Sequence, residues 1–274
     1  MNGIKIIQNG GKRSNQETLK ATINPTTQSL KMNPDEYKKL YALEDNFFWF
    51  KGMRKVLSNL VKKHTPSKDI KILDAGCGTG RNLIELNKYG SAVGLDLSDI
   101  ALEFCKKRGL EVKKGNVEQL PFDSNSFDLV TSIDVIYHKW VNSDDRALRE
   151  IYRVLTPGGK SIVQVAAYQF MYSNHDRAVF TERRYTKHEF KSKLQKAGFK
   201  IERITYYNTL LFPFALVKRL VEKESYTSEI RDMPSWLNST LTNISLLEGS
   251  IVKHINMPFG LSIIAVVKKE EQKT

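Results

Sequence analysis

The residues of this 274-residue chain best suited to chemistry lie close together: three glycines at alternate positions, Gly76, Gly78 and Gly80, preceded by Asp74 and followed further on by Asp96. Glycine tolerates positive φ and has no side chain to hold a ligand away, so alternate glycines make a tight turn whose N–H groups can reach a small molecule. A helix expected from Asn82 to Tyr89 would aim the positive end of its dipole at the same point. Asp96 stands in the apolar run SAVGLDLS, at the end of a predicted strand, where a carboxylate accepts hydrogen bonds from ribose hydroxyls. A dinucleotide turn would read G-x-G-x-x-G; here the third position of that frame is Arg81, and the next glycine comes one residue early.

A second group of side chains follows the apolar run FDLVTSI: Asp134, Tyr137 and His138. Beyond Tyr168 the polar and aromatic stretch QFMYSNHDRAVFTERRYTKHEF adds His175, Asp176, Arg177, Arg183 and Arg184. His138 and His175 are the candidate general bases for an acceptor that must lose a proton. Arg183 and Arg184, with Tyr137 beside them, suit an acceptor bearing phosphate or carboxylate, because guanidinium groups bind such anions bidentately. A third group is aromatic. Phe47-Phe48-Trp49-Phe50, followed by Arg54, exceeds what one amphipathic helix face needs, and ring faces can close over a cation. No compact His/Asp/Glu pattern has metal-ligand spacing, so no metal is expected.

These side chains need a scaffold to position them. Ile70 to Ala75 has the length and composition of a buried parallel strand ending at the glycines. The alternation continues with a strand ending in Asp96, a helix from Ile100 to Arg108, strands from Leu110 to Lys114 and Phe127 to Ile133, and a helix from Asn142 to Leu155. A Pro-Gly-Gly turn then leads into a fifth strand. Thr186 and Glu189 form a capping box for a helix to Ala197, and a strand from Phe199 to Tyr207 follows. The apolar insertion LLFPFALVKRL, a helix from Pro234 to His254 and a strand from Leu261 to Val267 complete the pattern. Seven strands alternating with helices predict a doubly wound α/β sheet. Residues 1–32 read as a mobile arm, 33–66 as a helical cap, and 67–269 as the main domain with insertions over 169–185 and 209–258. The apolar insertion is expected to pack against the protein or, alternatively, to meet a lipid or long-chain acceptor.

A composition of 41% hydrophobic and 27% charged residues excludes wholesale disorder. The two cysteines, Cys77 and Cys105, make neither a disulfide framework nor a metal-ligand spacing. With no signal-peptide core and no apolar run near the ~20 residues of a membrane span, the expected location is cytoplasmic. The net charge of +13 comes from scattered lysines rather than one stripe. It therefore favours a solvated basic surface, an anionic acceptor or peripheral membrane contact over nucleic acid. Oligomeric state is left open.

The string D-A-G-C-G-T-G resembles the first motif of class I S-adenosylmethionine-dependent methyltransferases, and RALREIYRVLTPGGKSIVQVAAY is similar to their helix, turn and fifth strand. The segment LEDNFFWFKGMR resembles an entry segment that caps the cofactor in one branch of that family, which implies roles for Trp49 and Arg54. In the same family GNVEQLPF would carry an acid at the adenine contact; Asn116 stands there instead and can still accept a hydrogen bond. SIDVIYHKW and the S-N-H-D and R-R-Y-T pairs resemble segments on the acceptor side. The resemblance implies S-adenosyl-L-methionine as cofactor, held by Asp74, Gly76, Cys77, Gly78, Gly80, Asp96, Leu97, Asn116, Val117, Ser132, Trp49 and Arg54. It also implies a seven-stranded sheet of order 3-2-1-4-5-7-6 with the last strand antiparallel. The expected activity is methyl transfer to oxygen or nitrogen of a small-molecule acceptor, glycan- or lipid-linked. The alternatives are a dinucleotide-dependent oxidoreductase, an RNA methyltransferase or an inactive cofactor-binding regulator.

Overall fold

A computed structural model describes residues 34–65, 67, 69–221 and 233–271, all within one compact unit, Lys31–Thr274. The arm expected over 1–32 lies outside the described residues. Seven strands form one sheet: β1 (Ile70–Ala75), β2 (Gly90–Asp96), β3 (Val112–Lys114), β4 (Phe127–Ile133), β5 (Leu155–Ala166), β6 (Lys200–Tyr207) and β7 (Ser262–Lys268). Their spatial order is β3-β2-β1-β4-β5-β7-β6. The first five run parallel, and β7 inserts antiparallel between β5 and β6. This is the order the resemblance implied.

The period-2 alternation of the strands divides the core. Leu73 and Ala75 of β1 face one side with Val130, Val163 and Val165, where Leu148 and Ile151 of α5 (Asp144–Val154) and Phe190 of α7 (Lys187–Lys196) pack. Ile70 and Ile72 face the other side with Leu129 and Ile162, against Val56, Leu57, Leu60 and Val61 of α2 (Phe48–His64). In α2 the spacing of these four keeps them on one stripe, which α9 (Ser235–Val252) also covers, with Asn59 Nδ2 donating to the Gly249 carbonyl at 3.0 Å. Preceding α2 is α1 (Pro34–Leu43). Helix starts follow local capping chemistry: the Ser98 and Ser143 side chains accept the Ala101 and Arg146 amides ahead of α4 (Asp99–Lys107) and α5, and Thr186 with Glu189 caps α7.

The structure corrects several boundaries. After the glycine loop, α3 covers only Arg81–Leu86, and β3 begins at Val112 rather than Leu110. The Pro-Gly-Gly segment does not end before a strand; β5 runs through it from Leu155. Gly158 adopts φ +83° and its amide bonds to the Lys269 carbonyl at 2.9 Å, so the chain after β7 satisfies the backbone groups of the turn. The stretch after Tyr168 is not irregular either. It holds a 3-10 turn, Gln169–Met171, and α6 (Asn174–Ala178), whose Ser173–Asp176 capping box the sequence contains. The apolar insertion packs only in part: Leu211 is buried and Phe212 meets Tyr168 and Phe259, while no residue of α8 (Phe212–Val221) is fully buried and Phe214, Val217 and Leu220 are exposed.

Candidate active site

The glycine loop is built by backbone pairing at the carboxyl ends of β1 and β2. The amides of Gly76 and Cys77 both donate to the Leu95 carbonyl, at 2.7 and 3.0 Å, and the Gly78 amide donates to Asp96 Oδ2 at 2.9 Å. The three glycines have φ of +92°, +53° and +86°, the region open to glycine and strained for others. They differ in what surrounds them. A Cβ on Gly76 would stand 2.3 Å from Val135 Cγ2, and one on Gly80 2.5 Å from Leu110 Cδ1, so both are needed for packing. A Cβ on Gly78 would meet only Leu40 Cδ2, at 3.8 Å, so this glycine borders open space.

Asp96 is half-buried, its Oδ1 accepting from the Ser98 amide at 2.9 Å, and burial raises its carboxyl above the usual range. Each carboxylate oxygen keeps further acceptor capacity toward the cavity, which Asp96 lines. Asp74 plays a different part. Its Oδ1 accepts from Thr131 Oγ1 at 2.7 Å, its Oδ2 is buried without a partner, and burial with the nearby Asp96 charge pushes it up to about 6. It braces the loop from beneath and does not line the cavity.

The cap closes over this loop through charges. Buried Glu44 accepts from Thr79 Oγ1 at 2.7 Å and pairs with Arg108 Nη2 at 2.7 Å; desolvation raises its carboxyl against both partners. Tyr41 of α1 stacks on Phe104 at 4.4 Å, and the Arg108 guanidinium lies over the Tyr41 ring. Arg54 Nη1 donates to the Glu44 carbonyl at 2.6 Å, holding the turn between α1 and α2, while Arg81 pairs with Asp45. The resulting cavity is walled by Trp49, Phe50 and Arg54 from the cap and by Gly76, Cys77, Gly78 and Asp96 from the loop.

The far wall of the same cavity is Asp134, Val135, His138 and Trp140. Asp134 has φ +58°, a strained conformation that aspartate tolerates better than most. Gln164 Nε2 holds its Oδ2 at 2.8 Å, and burial pushes the carboxyl up to about 6. His138 Nε2 lies 3.0 Å from the Asp134 carbonyl, which can only accept, so Nε2 carries the proton. Burial pushes His138 down to about 4, and its ring stacks on Trp140 at 4.3 Å. The imidazole is therefore neutral near pH 7, with Nδ1 buried and unpartnered.

The other expected acceptor residues stand elsewhere. Arg184 bonds to both oxygens of buried Asp176, at 2.9 and 3.1 Å, and to the Ala167 carbonyl at 2.7 Å. Arg183 reaches Asp144 at 3.5 Å and the Val141 carbonyl at 3.0 Å. Both guanidiniums thus fasten the loop after β5, in place of the open anion site expected. Tyr137, His175 and Ser132 do not line the cavity, and neither do Leu97, Asn116 and Val117; Asn116 Oδ1 instead accepts the Glu118 amide at 2.9 Å. Sequence reasoning missed Glu44 and Thr79 as the clasp between cap and loop, although Glu44 lies in the quoted LED segment, and it did not use Asp134. Among the described residues no group of three or more His, Cys, Asp or Glu could hold a metal ion.

The open space over Gly78, the Asp96 carboxylate and the aromatic cap together fit a nucleoside bearing a cationic sulfonium. Residues 73–163 match a family model described as a methyltransferase domain. That stretch is thus similar to a methyltransferase domain, and the sheet order β3-β2-β1-β4-β5-β7-β6 agrees with the fold that the resemblance implied. A demethylmenaquinone methyltransferase of Lactococcus lactis is 30% identical over 161 residues, covering 54% of this chain and 58% of that protein. A probable tRNA methyltransferase 9B of Mus musculus is 36% identical over 99 residues, or 36% of this chain and 22% of that one. The chain thus spans less than two thirds of these curated relatives. A Thermotoga maritima structure described as a SAM-dependent methyltransferase, possible histamine N-methyltransferase, shares the fold, with a TM-score of 0.55 and 22% identity over 86% of this chain and 96% of that chain.

Proposed function

We propose that the protein transfers a methyl group from S-adenosyl-L-methionine to an oxygen or nitrogen atom of a small-molecule acceptor. The observation that carries this reading is a single cavity with the glycine loop, Asp96 and the aromatic cap on one side and Asp134, His138 and Trp140 on the other. The cofactor supplies an already activated methyl, so the chain's own task is to align an acceptor atom and exclude water. Asp96 would take the ribose hydroxyls, the Gly78 region would lie under the ligand, and Trp49 with Phe50 would roof it. Arg54 and Arg81, both lining the cavity, suit the carboxylate of the amino-acid moiety. Positioning of this kind contributes ~7–11 kcal/mol in favourable cases.

For an acceptor that must lose a proton, Asp134 is the ionisable group best placed in the cavity wall, since a carboxyl pushed up to about 6 can exchange a proton near neutral pH. His138, neutral and anchored through Nε2, orients the wall beside it. The arginines of the loop after β5 support the acceptor side by holding it in place. Calorimetric titration with S-adenosylmethionine and with NAD tests the cofactor: micromolar binding of the first and none of the second is expected. Turnover on quinone, lipid-linked sugar, amine and tRNA acceptors then assigns the substrate. Binding of NAD alone would overturn the reading, and cofactor binding with no turnover on any class would favour a regulator.

A further inference from the structure

A surface helix of a water-soluble domain ordinarily keeps its apolar side chains against the protein; α8 packs Phe212 against Tyr168 and Phe259 but turns a second apolar stripe outward. Phe214, Val217, Leu220 and Val221 are 74%, 61%, 79% and 75% exposed. At 3.6 residues per turn the four fall within about a third of the helix circumference, so they form one outward stripe. Phe170, on the 3-10 turn after β5, is 65% exposed as well. Arg219 Nε donates to the Met171 carbonyl at 3.2 Å, which ties α8 to that turn. Tyr168 stacks with Phe170 at 5.2 Å and meets Phe212 edge-on at 5.9 Å, so helix and turn share one aromatic cluster. Grouped large apolar side chains of this kind mark an interaction surface.

The charge of the helix and of the chain selects the partner. The sequence FPFALVKRLV contains no acidic residue and carries Lys218 and Arg219 in its last turn, within a chain of net charge +13. A short apolar and aromatic face with basic residues at one end matches the anionic surface of a bilayer, where rings seat at the headgroup level and cations are attracted to the lipid phosphates. Ten residues cannot cross a membrane, and no described helix is long and apolar enough to do so, so the helix would lie in the interface plane. The turn that carries Phe170 leaves β5 at its carboxyl end, the end of the sheet where the cavity lies.

We propose that α8 and Phe170 form a docking face for the surface of a bilayer rich in anionic lipid, which brings the acceptor side of the cavity to the membrane. Docking stands independently of methyl transfer; only the corollary, an acceptor carried by the lipid phase, rests on that reading. The test is flotation of the full chain with phosphatidylglycerol–phosphatidylcholine vesicles and with phosphatidylcholine alone. It is run beside a Phe214→Ser, Leu220→Ser variant, with calorimetry of S-adenosylmethionine binding on both proteins. Binding to the anionic vesicles at least tenfold above the neutral ones is expected, weakened by salt and reduced at least tenfold in the variant while its cofactor affinity is unchanged. Because both substituted side chains are exposed, the fold does not depend on them. Failure of the wild type to float with anionic vesicles would overturn the proposal, as would equal flotation by the variant. A wild-type dimer that the variant dissolves, without vesicle binding, would assign the face to a second copy instead.

Discussion

The glycine-loop wall of the cavity and the loop after β5, which lies outside it, use charged residues in opposite ways. On the glycine-loop wall, backbone amides form the turn, and Asp96, Arg54 and Arg81 keep polar atoms toward the space while bonding to the loop and cap. In the loop after β5, where acceptor contacts were expected, the motif residues are consumed in holding the loop together. Arg184 clasps Asp176, and Asp144 receives Arg183, Lys193 at 2.9 Å and the Tyr185 hydroxyl at 2.7 Å. The difference teaches that a run of arginines after a strand is no anion site until its partners are known. A buried carboxylate nearby turns each guanidinium into structure.

Four measurements break or sharpen this contrast. The largest effect is expected for Arg184→Ala, which strands the buried Asp176 carboxylate and should destabilise the protein by about 3–5 kcal/mol in urea unfolding. An unchanged midpoint would return Arg184 to the acceptor site. Gly78→Val places a β-branched side chain at φ +53° over the cradle, so S-adenosylmethionine affinity should fall about 100-fold or more, close to 3 kcal/mol. Normal binding by calorimetry would show that the cradle lies elsewhere.

Asp96→Ala removes an ionic acceptor worth about 1.5–3 kcal/mol and should weaken the same cofactor by roughly ten- to 100-fold. Retained affinity would remove the ribose role. The last concerns pH. His138 takes its proton near 4 in the folded chain and near the ordinary histidine value when unfolded, so its contribution is present above about 6.5 and is lost as pH falls toward 4. Asp74 and Asp134, raised to about 6, work in the opposite sense, since each is less unfavourable once protonated. Both carboxyls are common to wild type and His138→Gln, so they cancel between the two, and the stability lost from pH 6.5 to 4.5 is expected to be about 2 kcal/mol smaller in the variant. Parallel slopes would show that His138 is not buried in the neutral form.

Much of the architecture was legible because it rests on local rules. The short apolar run of IKILDA ending at the glycines marks β1, the three glycines demand positive φ, and Thr186 with Glu189 states where α7 begins, each within a few residues. Of the candidate site, Gly76, Gly78, Asp96, Trp49, Arg54 and His138 meet at one cavity, while Asn116, Val117, His175, Arg183 and Arg184 do not. The clasp of Glu44 on Thr79 joins residues 35 apart, and the Gln164 grip on Asp134 joins residues 30 apart. Neither has a short-range signature.

The sequence by itself determined the order of strands and helices, the glycine turn and the placing of an acid at the end of β2. These depend on φ, on side-chain period and on capping, all of which act between near neighbours. Only the tertiary structure decided which charges face the cavity and which are buried in pairs, and that the apolar stripe of α8 turns outward. A side chain's ionisation and role depend on desolvation and on partners brought from distant parts of the chain. Asp74 and Asp134 share a residue type and a carboxyl pushed up to about 6. The fold sets Asp74 beneath the loop and Asp134 in the cavity wall, and with that position it sets their different work.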